Sequence, residues 1–280
     1  MQDSLLCGRY RFSLGPGSRP LVMGILNITP DSFSDGGQFH GLDAALSRAE
    51  RMLADGVDII DIGGESTRPG APPVPVEEEL RRVLPVLLGL RDCGRALSVD
   101  TFKPEVMRQA LDAGADMIND IAGFRSEGAL SAVKDSSAGL CIMHMQNQPA
   151  TMQVKPAYAD VYREVTDFLA QRVRDMEAAG VARERMCVDP GFGFGKTAEH
   201  NLALLRRLGQ MQDELGLPLL AGISRKATLG AITGKPVDQR AAASVAAALA
   251  AVARGARIVR VHDVADTVDA LKVWAAIGNP

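Results

Sequence analysis

A closed (β/α)8 barrel preceded by a short hairpin is the fold class the sequence predicts, and three features carry the prediction. From Leu21 onward, eight short apolar runs suited to strands alternate with longer amphipathic stretches suited to helices. The runs are apolar throughout instead of alternating, which fits parallel strands covered by helices. Each run also ends on a polar residue, and in such a barrel the C-terminal strand ends converge on the rim where active sites are built. An open doubly wound sheet is the competing arrangement.

Residues 1–20 form an N-terminal extension in which RYRFSLGPGSRP predicts a hairpin around Gly15–Pro16–Gly17, closing the barrel's N-terminal end. Residues 21–280 form the barrel. Strands are expected at LVMGILNIT (21–29), VDIIDIGG (57–64), ALSVDT (96–101), MINDIAG (117–123), LCIMHM (140–145), RMCVDPG (185–191), LPLLAGIS (217–224) and RIVRVHD (257–263). A helix is expected in each interval and after the last strand, as at 76–92, 158–180 and 264–278. Gly56, Gly114, Gly180 and Gly255 stand where a left-handed residue ends a helix.

With 280 residues, 46% of them apolar, the chain has ample material for one large core. A net charge of −3 gives no electrostatic footprint for nucleic acid. Cys7, Cys93, Cys141 and Cys187 have no paired spacing, which argues against a disulfide framework or zinc site and fits a reducing cytoplasm. The N-terminus lacks a basic segment followed by an apolar run, and the alanine-rich stretch 241–253 is too short to span a bilayer. A soluble cytoplasmic protein without a membrane partner is expected.

The strand ends carry Asn27, Asp61, Asp100, Asn119, His144, Asp189, Ser224 and His262. A single one of these is as well explained as a cap or turn residue; one on every strand predicts an enzyme. The stretch VDPGFGFGKT (188–197) resembles a phosphate loop, but Gly191 to Gly195 encloses three residues where that motif needs four. Gly191, Gly193 and Gly195 instead make a loop after Asp189 that lets backbone approach a ligand, and Lys196 is expected on the surface. Two polar loops, LNITPDSFSDGG (26–37) and GGESTRPG (63–70), follow early strands. Arg68 offers a fork for an anion, and Lys226, Arg260 and His262 add cations across the rim. Asp100, Asn119 and Asp189 supply acceptors suited to a heterocycle with several N–H donors. The expected substrate therefore joins a nitrogen heterocycle to phosphate.

These motifs, with SVDT, INDI, MHMQ, SRK and RVHD, resemble in order and across nearly the whole chain those of the dihydropteroate synthases of folate synthesis. The resemblance implies a transferase that joins 7,8-dihydropterin-6-ylmethyl diphosphate to 4-aminobenzoate on a (β/α)8 barrel with Mg2+, releasing diphosphate. It implies that Asn27 faces the metal, and that Asn27, Thr67, Arg68, Arg260 and His262 hold the diphosphate. Asp100, Asn119, Met143, Asp189, Phe194 and Lys226 would hold the pterin. Phe33, Thr67, Pro69, Ser224 and Lys226 would border 4-aminobenzoate, a site for which sulfonamides should compete. Asp100, Asp189 and Lys226 are the expected catalytic residues, the two carboxylates stabilising positive charge as diphosphate leaves before the aniline attacks. Because Phe33 and Pro69 lie on the two loops, 4-aminobenzoate should bind after the diphosphate. His144 is expected behind the site. A cobalamin-dependent methyltransferase-like pterin barrel and a catalytically silent paralogue are the alternatives. The stretch 240–255 is apolar nearly all round, which suggests a covered helix in a homodimer.

Overall fold

An antiparallel hairpin, β1 (Ser4–Cys7) and β2 (Tyr10–Ser13), comes first, pairing Ser4 with Ser13 and Cys7 with Tyr10. The structure is a computed structural model that describes residues 2–15, 17–28, 38–66, 70–149 and 151–278. The hairpin turns at Gly8–Arg9, not around Gly15–Pro16–Gly17. Packing decides the position. Gly8 has φ 56°, and a Cβ there would sit 2.7 Å from the Asp116 Cα. Arg9 then donates from Nε (2.9 Å) and Nη2 (2.8 Å) to the Asp116 carboxylate. The chain after Leu14 serves as the link into the barrel.

Eight parallel strands follow: β3 (Leu21–Asn27), β4 (Ile59–Gly63), β5 (Ala96–Asp100), β6 (Met117–Asp120), β7 (Gly139–Met143), β8 (Met186–Asp189), β9 (Leu219–Ala221) and β10 (Ala256–Val261). They pair in sequence order, and β10 closes on β3 with Ile258 opposite Leu21. Alternation along each strand separates two cores. Val22, Ile60, Leu97, Ile118, Leu140, Val188 and Val259 face the helices. Met23, Ile59, Ala96, Met117, Cys141, Cys187, Leu220 and Ile258 face inward, where Leu5, Cys7 and Leu14 of the hairpin segment cover them. The hairpin is thus the floor of the barrel, and Cys7, Cys141 and Cys187 are buried core residues.

The outer layer is α1 (Gln38–Ala54), α2 (Val76–Leu90), α3 (Pro104–Asp112), α4 (Ala129–Val133), α5 (Val161–Ala178), α6 (Ala198–Arg206), α7 (Leu208–Leu215), α8 (Ala227–Thr233), α9 (Ala241–Val252) and α10 (Val264–Ile277). Gly56, Gly114, Gly180 and Gly255 all take positive φ after helices, as expected. The intervals after β8 and β9 each hold two helices where the sequence predicts one. After α8, Gly234 turns left-handed (φ 70°) and Pro236 follows, so the helix stops before α9 begins. Helix α9 buries Ser244, Ala247, Ala248 and Ala251 against the barrel.

Candidate active site

Two residues above the apolar floor, the same inward positions become polar. Asp61, Asn119 and Asp189 are buried there, and Arg260 crosses between them from β10. Its Nε donates to Asp61 Oδ2 and its Nη2 to Asp100 Oδ2, each at 2.6 Å. Burial pulls the guanidinium pKa down, but Asp61 and Asp100 outweigh it and hold the charge. One guanidinium cannot neutralise two carboxylates in a dry site. Burial, opposed by Arg260 and reinforced by Asp61, pushes the Asp100 carboxyl up to about 7. Asn119 Nδ2 also donates to Asp61 Oδ2 (3.2 Å). That leaves Asn119 Oδ1 and Asp61 Oδ1 buried with no hydrogen-bond partner among the described residues.

The glycine loop after β8 is fixed by hydrogen bonds that it both donates and accepts. Gly191 N–H donates to Asp189 Oδ1 (2.7 Å), fixing that carboxylate, and Gly193 N–H donates to Asn201 Oδ1 (2.9 Å). Gly191 has φ 69°, and a Cβ there would lie 1.8 Å from the His144 carbonyl oxygen, so the loop can bear no side chain at this point. Lys196 is not on the surface, contrary to expectation. It is 3% exposed, and its Nζ donates to the carbonyls of Gly191 and Phe194 (3.0 Å each) and lies 2.9 Å from His144 Nδ1. Burial lowers Lys196 to about 7, with Asp189 opposing. Burial and the neighbouring Lys196 lower His144 to about 2, so its imidazole is neutral behind the site. Burial likewise raises the Asp189 carboxyl, against its Gly191 hydrogen bond.

Lys226 lies at the start of α8, with Nζ 4.0 Å from the Phe194 ring centroid. Burial and then Arg260 lower it to about 8, while Asp189 and Asp100 oppose. Met143 and Phe194 pack with Ile121, Met145 and Met152 as an apolar wall. Ser224 Oγ accepts from His262 N–H (3.2 Å) and sits 3.0 Å from His262 Nδ1. Burial and Arg260 lower His262 to about 4, so it is neutral at physiological pH. Asn27 is exposed at the end of β3; a Cβ on Gly63 would lie 3.2 Å from Asn27 Oδ1 and 4.0 Å from Asp100 Oδ2, so both oxygens border one point on the rim. A cavity of about 890 Å³ joins Asn27, Asp100, Phe194, Ser224, Arg260 and His262. Phe33, Thr67, Arg68 and Pro69 lie outside the described residues. Asp61 was visible in the sequence only as a polar strand end; its partnership with Arg260 bridges 199 positions and needs the closed barrel.

A closed barrel with a polar, cavity-lined rim of this composition is an enzyme of the pterin-binding class, and residues 23–262 match the family model described as pterin binding enzyme. The dihydropteroate synthase of Haemophilus influenzae is 51% identical over 265 residues, covering 94% of this chain and 95% of that protein. The Escherichia coli dihydropteroate synthase is 48% identical over 257 residues, 91% of each chain. Among solved structures, Burkholderia cenocepacia dihydropteroate synthase complexed with 7,8-dihydropteroate superposes with a TM-score of 0.89 at 58% identity, covering 98% of this chain and 96% of that one. The Xanthomonas albilineans enzyme with 4-aminobenzoic acid gives 0.91 at 51% identity, covering 99% and 98%. The chain belongs to the dihydropteroate synthase family and is a transferase.

Proposed function

We propose that this site joins 7,8-dihydropterin-6-ylmethyl diphosphate to 4-aminobenzoate, giving 7,8-dihydropteroate and diphosphate. The observation that carries the reading is the pair of orphaned buried acceptors, Asn119 Oδ1 and Asp61 Oδ1. An unpaired buried acceptor costs roughly 1–3 kcal/mol, and the ring N–H and amino groups of a pterin remove that cost. Asp100, Asn119, Asp189 and Lys226 hold the pterin, with Met143 and Phe194 against its faces. As the C–O bond to diphosphate breaks, the pterin methylene becomes positive, and the fixed carboxylates of Asp100 and Asp189 stabilise it. The aniline nitrogen then forms the new C–N bond and releases its proton. Ser224 and Lys226, with Phe33, Thr67 and Pro69, border the 4-aminobenzoate, so sulfonamides compete for the same place. His262, neutral and able to donate, holds the diphosphate with Asn27, Thr67, Arg68 and Arg260.

The donor set fits Mg2+. This hard cation takes one or two protein oxygens together with substrate phosphates and water. Asn27 Oδ1 offers such an oxygen at the rim, and the described residues contain no cluster of three or more His, Cys, Asp or Glu that would make an all-protein cage. Held by Asn27 and the diphosphate, Mg2+ would neutralise charge on the leaving group. Diphosphate release should require both substrates and Mg2+. Release at an equal rate without 4-aminobenzoate, or without dihydropteroate appearing, overturns the reading.

The chain acts in the cytoplasm as a homodimer in this proposal. No described helix is long and apolar enough to cross a membrane. Ala242 and Ala246 on the outer side of α9 are exposed, and an apolar hollow of about 270 Å³ beside them is lined by Phe192, Leu205, Leu229 and Ile232. Sedimentation at micromolar concentration should give the mass of two chains; a monomer refutes the dimer.

A further inference from the structure

The seam between β8 and β9 carries the fewest register pairs in the barrel. Only Val188 and Leu219 pair across it, whereas β7 and β8 share four pairs, and β9 is the shortest barrel strand. Yet the chain above this seam carries Asp189 and Phe194 on one side and Lys226 on the other, which the proposed reaction places around one pterin. The buried side chain of Asn201, on α6, joins the two sides. Its Oδ1 accepts from Gly193 N–H (2.9 Å) in the loop after β8. Its Nδ2 donates to Thr228 Oγ1 (2.9 Å), two residues beyond Lys226 in the first turn of α8, and to Thr197 O (2.9 Å) at the start of α6. A backbone N–H can only donate and a carbonyl only accept, so these contacts fix which way the amide faces. The joined pieces also touch directly. Gly193 has φ 79°, and a Cβ there would lie 3.0 Å from Lys226 Cδ, so the loop rests on the lysine stem.

We propose that Asn201 is a positioning residue for the transfer: it sets the Phe194 ring and the Lys226 ammonium in the mutual geometry that receives the pterin. It does so across a seam where strand pairing supplies almost no register. Asn201 and Thr228 both border the large cavity, but the amide is engaged within the protein and acts through the residues it ties. This rests on the assignment of Phe194 and Lys226 to the pterin. A ligand held between a ring and an ammonium on separate segments loses affinity when either segment gains freedom, because that freedom is given up again on binding.

Three substitutions test the bridge. Thr228→Val removes the hydroxyl and keeps the shape, Thr228→Ser keeps the hydroxyl, and Asn201→Ala removes the whole connection. By calorimetry, Thr228→Val and Asn201→Ala should each weaken binding of 7,8-dihydropterin-6-ylmethyl diphosphate about tenfold, the effect of roughly one buried hydrogen bond. Thr228→Ser should stay within about twofold of the parent. The double variant Asn201→Ala/Thr228→Val should bind no more weakly than Asn201→Ala alone, because the two residues make one connection. In the free protein, amide hydrogen exchange should quicken over 191–195 and 226–230 in Asn201→Ala and Thr228→Val, and stay unchanged over the hairpin 4–13. Parent-like affinity in these two variants, with only the unfolding midpoint lowered, makes Asn201 a purely structural residue and overturns the proposal. Additive losses in the double variant overturn it too, as does unchanged exchange in both segments or an equal loss in Thr228→Ser. Should Asn201→Ala fail to fold, Thr228→Val against Thr228→Ser decides. A parent protein that binds no dihydropterin diphosphate removes the functional reading and this role with it; a parent that binds it no better than the variants removes this role alone.

Discussion

The barrel interior has two levels built from the same strands. At the lower level stand Ile59, Met117, Cys187 and Ile258, sealed by Leu5, Cys7 and Leu14. Two residues further along, on the same faces, stand Asp61, Asn119, Asp189 and Arg260. Residues i and i+2 of a strand point the same way about 7 Å apart, so a single step along each strand takes the interior from dry packing to a charged site. The lower level is satisfied within itself. The upper level is not: Asp61 and Asn119 keep acceptors with no partner among the described residues, and Asp100 and Asp189 carry raised carboxyl pKa values. Stability is concentrated at one end of the barrel and unmet polar demand at the other, which is where a ligand contributes most.

Strand β10 gives the sharpest way to break this division, because Ile258 and Arg260 represent both levels. Arg260→Met leaves Asp61 and Asp100 buried without their shared cation, which should cost about 3–5 kcal/mol of stability. Turnover should fall by about 10³ or more, as the carboxylates would take up protons and lose their fixed charge. Ile258→Ala should also cost about 2–5 kcal/mol by opening a cavity. In the folded fraction, however, its kcat and both KM values should stay near those of the parent. Denaturant unfolding alongside steady-state kinetics separates the two. If Ile258→Ala lowers kcat as severely as Arg260→Met, the floor is part of the active site and the division is wrong.

The difference between the levels also explains what the sequence disclosed. Strand runs and their polar ends are local signals, so the eight-stranded barrel and the rim positions Asn119, Asp189, Ser224 and His262 were legible. What escaped depends on closure. Arg260 meets Asp61 only because β10 pairs with β3 and β3 with β4. Lys196 follows a glycine loop that folds back on it, and three acceptors from Gly191, Phe194 and His144 make burial of its ammonium tolerable. No feature of GFGFGK alone separates that outcome from a solvated lysine. The hairpin turn was misplaced for a similar reason: GPG is the stronger local turn signal, but Asp116, more than a hundred residues away, selects Gly8–Arg9.

A smaller effect sharpens the contrast through pH. The Asp100 carboxyl, pushed up to about 7, is ionised in only part of the free enzyme at neutral pH. If ionised Asp100 stabilises the positive pterin methylene, kcat/KM for the pterin diphosphate should fall as pH drops below 7. The fall should approach tenfold per unit, since this parameter reports groups of the free enzyme. Stability carries the opposite sign. Between the ordinary carboxylate range and 7 the folded chain keeps a proton here that the unfolded chain has released, so this contribution is present at low pH and lost as pH rises through 7. Activity should therefore rise over the window in which the Asp100 contribution to stability declines. Asp100→Asn should flatten the acid limb near 7 and remove that part of the stability slope. A lower-level change such as Cys141→Ala should leave both pH dependences in place while lowering stability overall. An acid limb that persists unchanged in Asp100→Asn would assign the titration to another group.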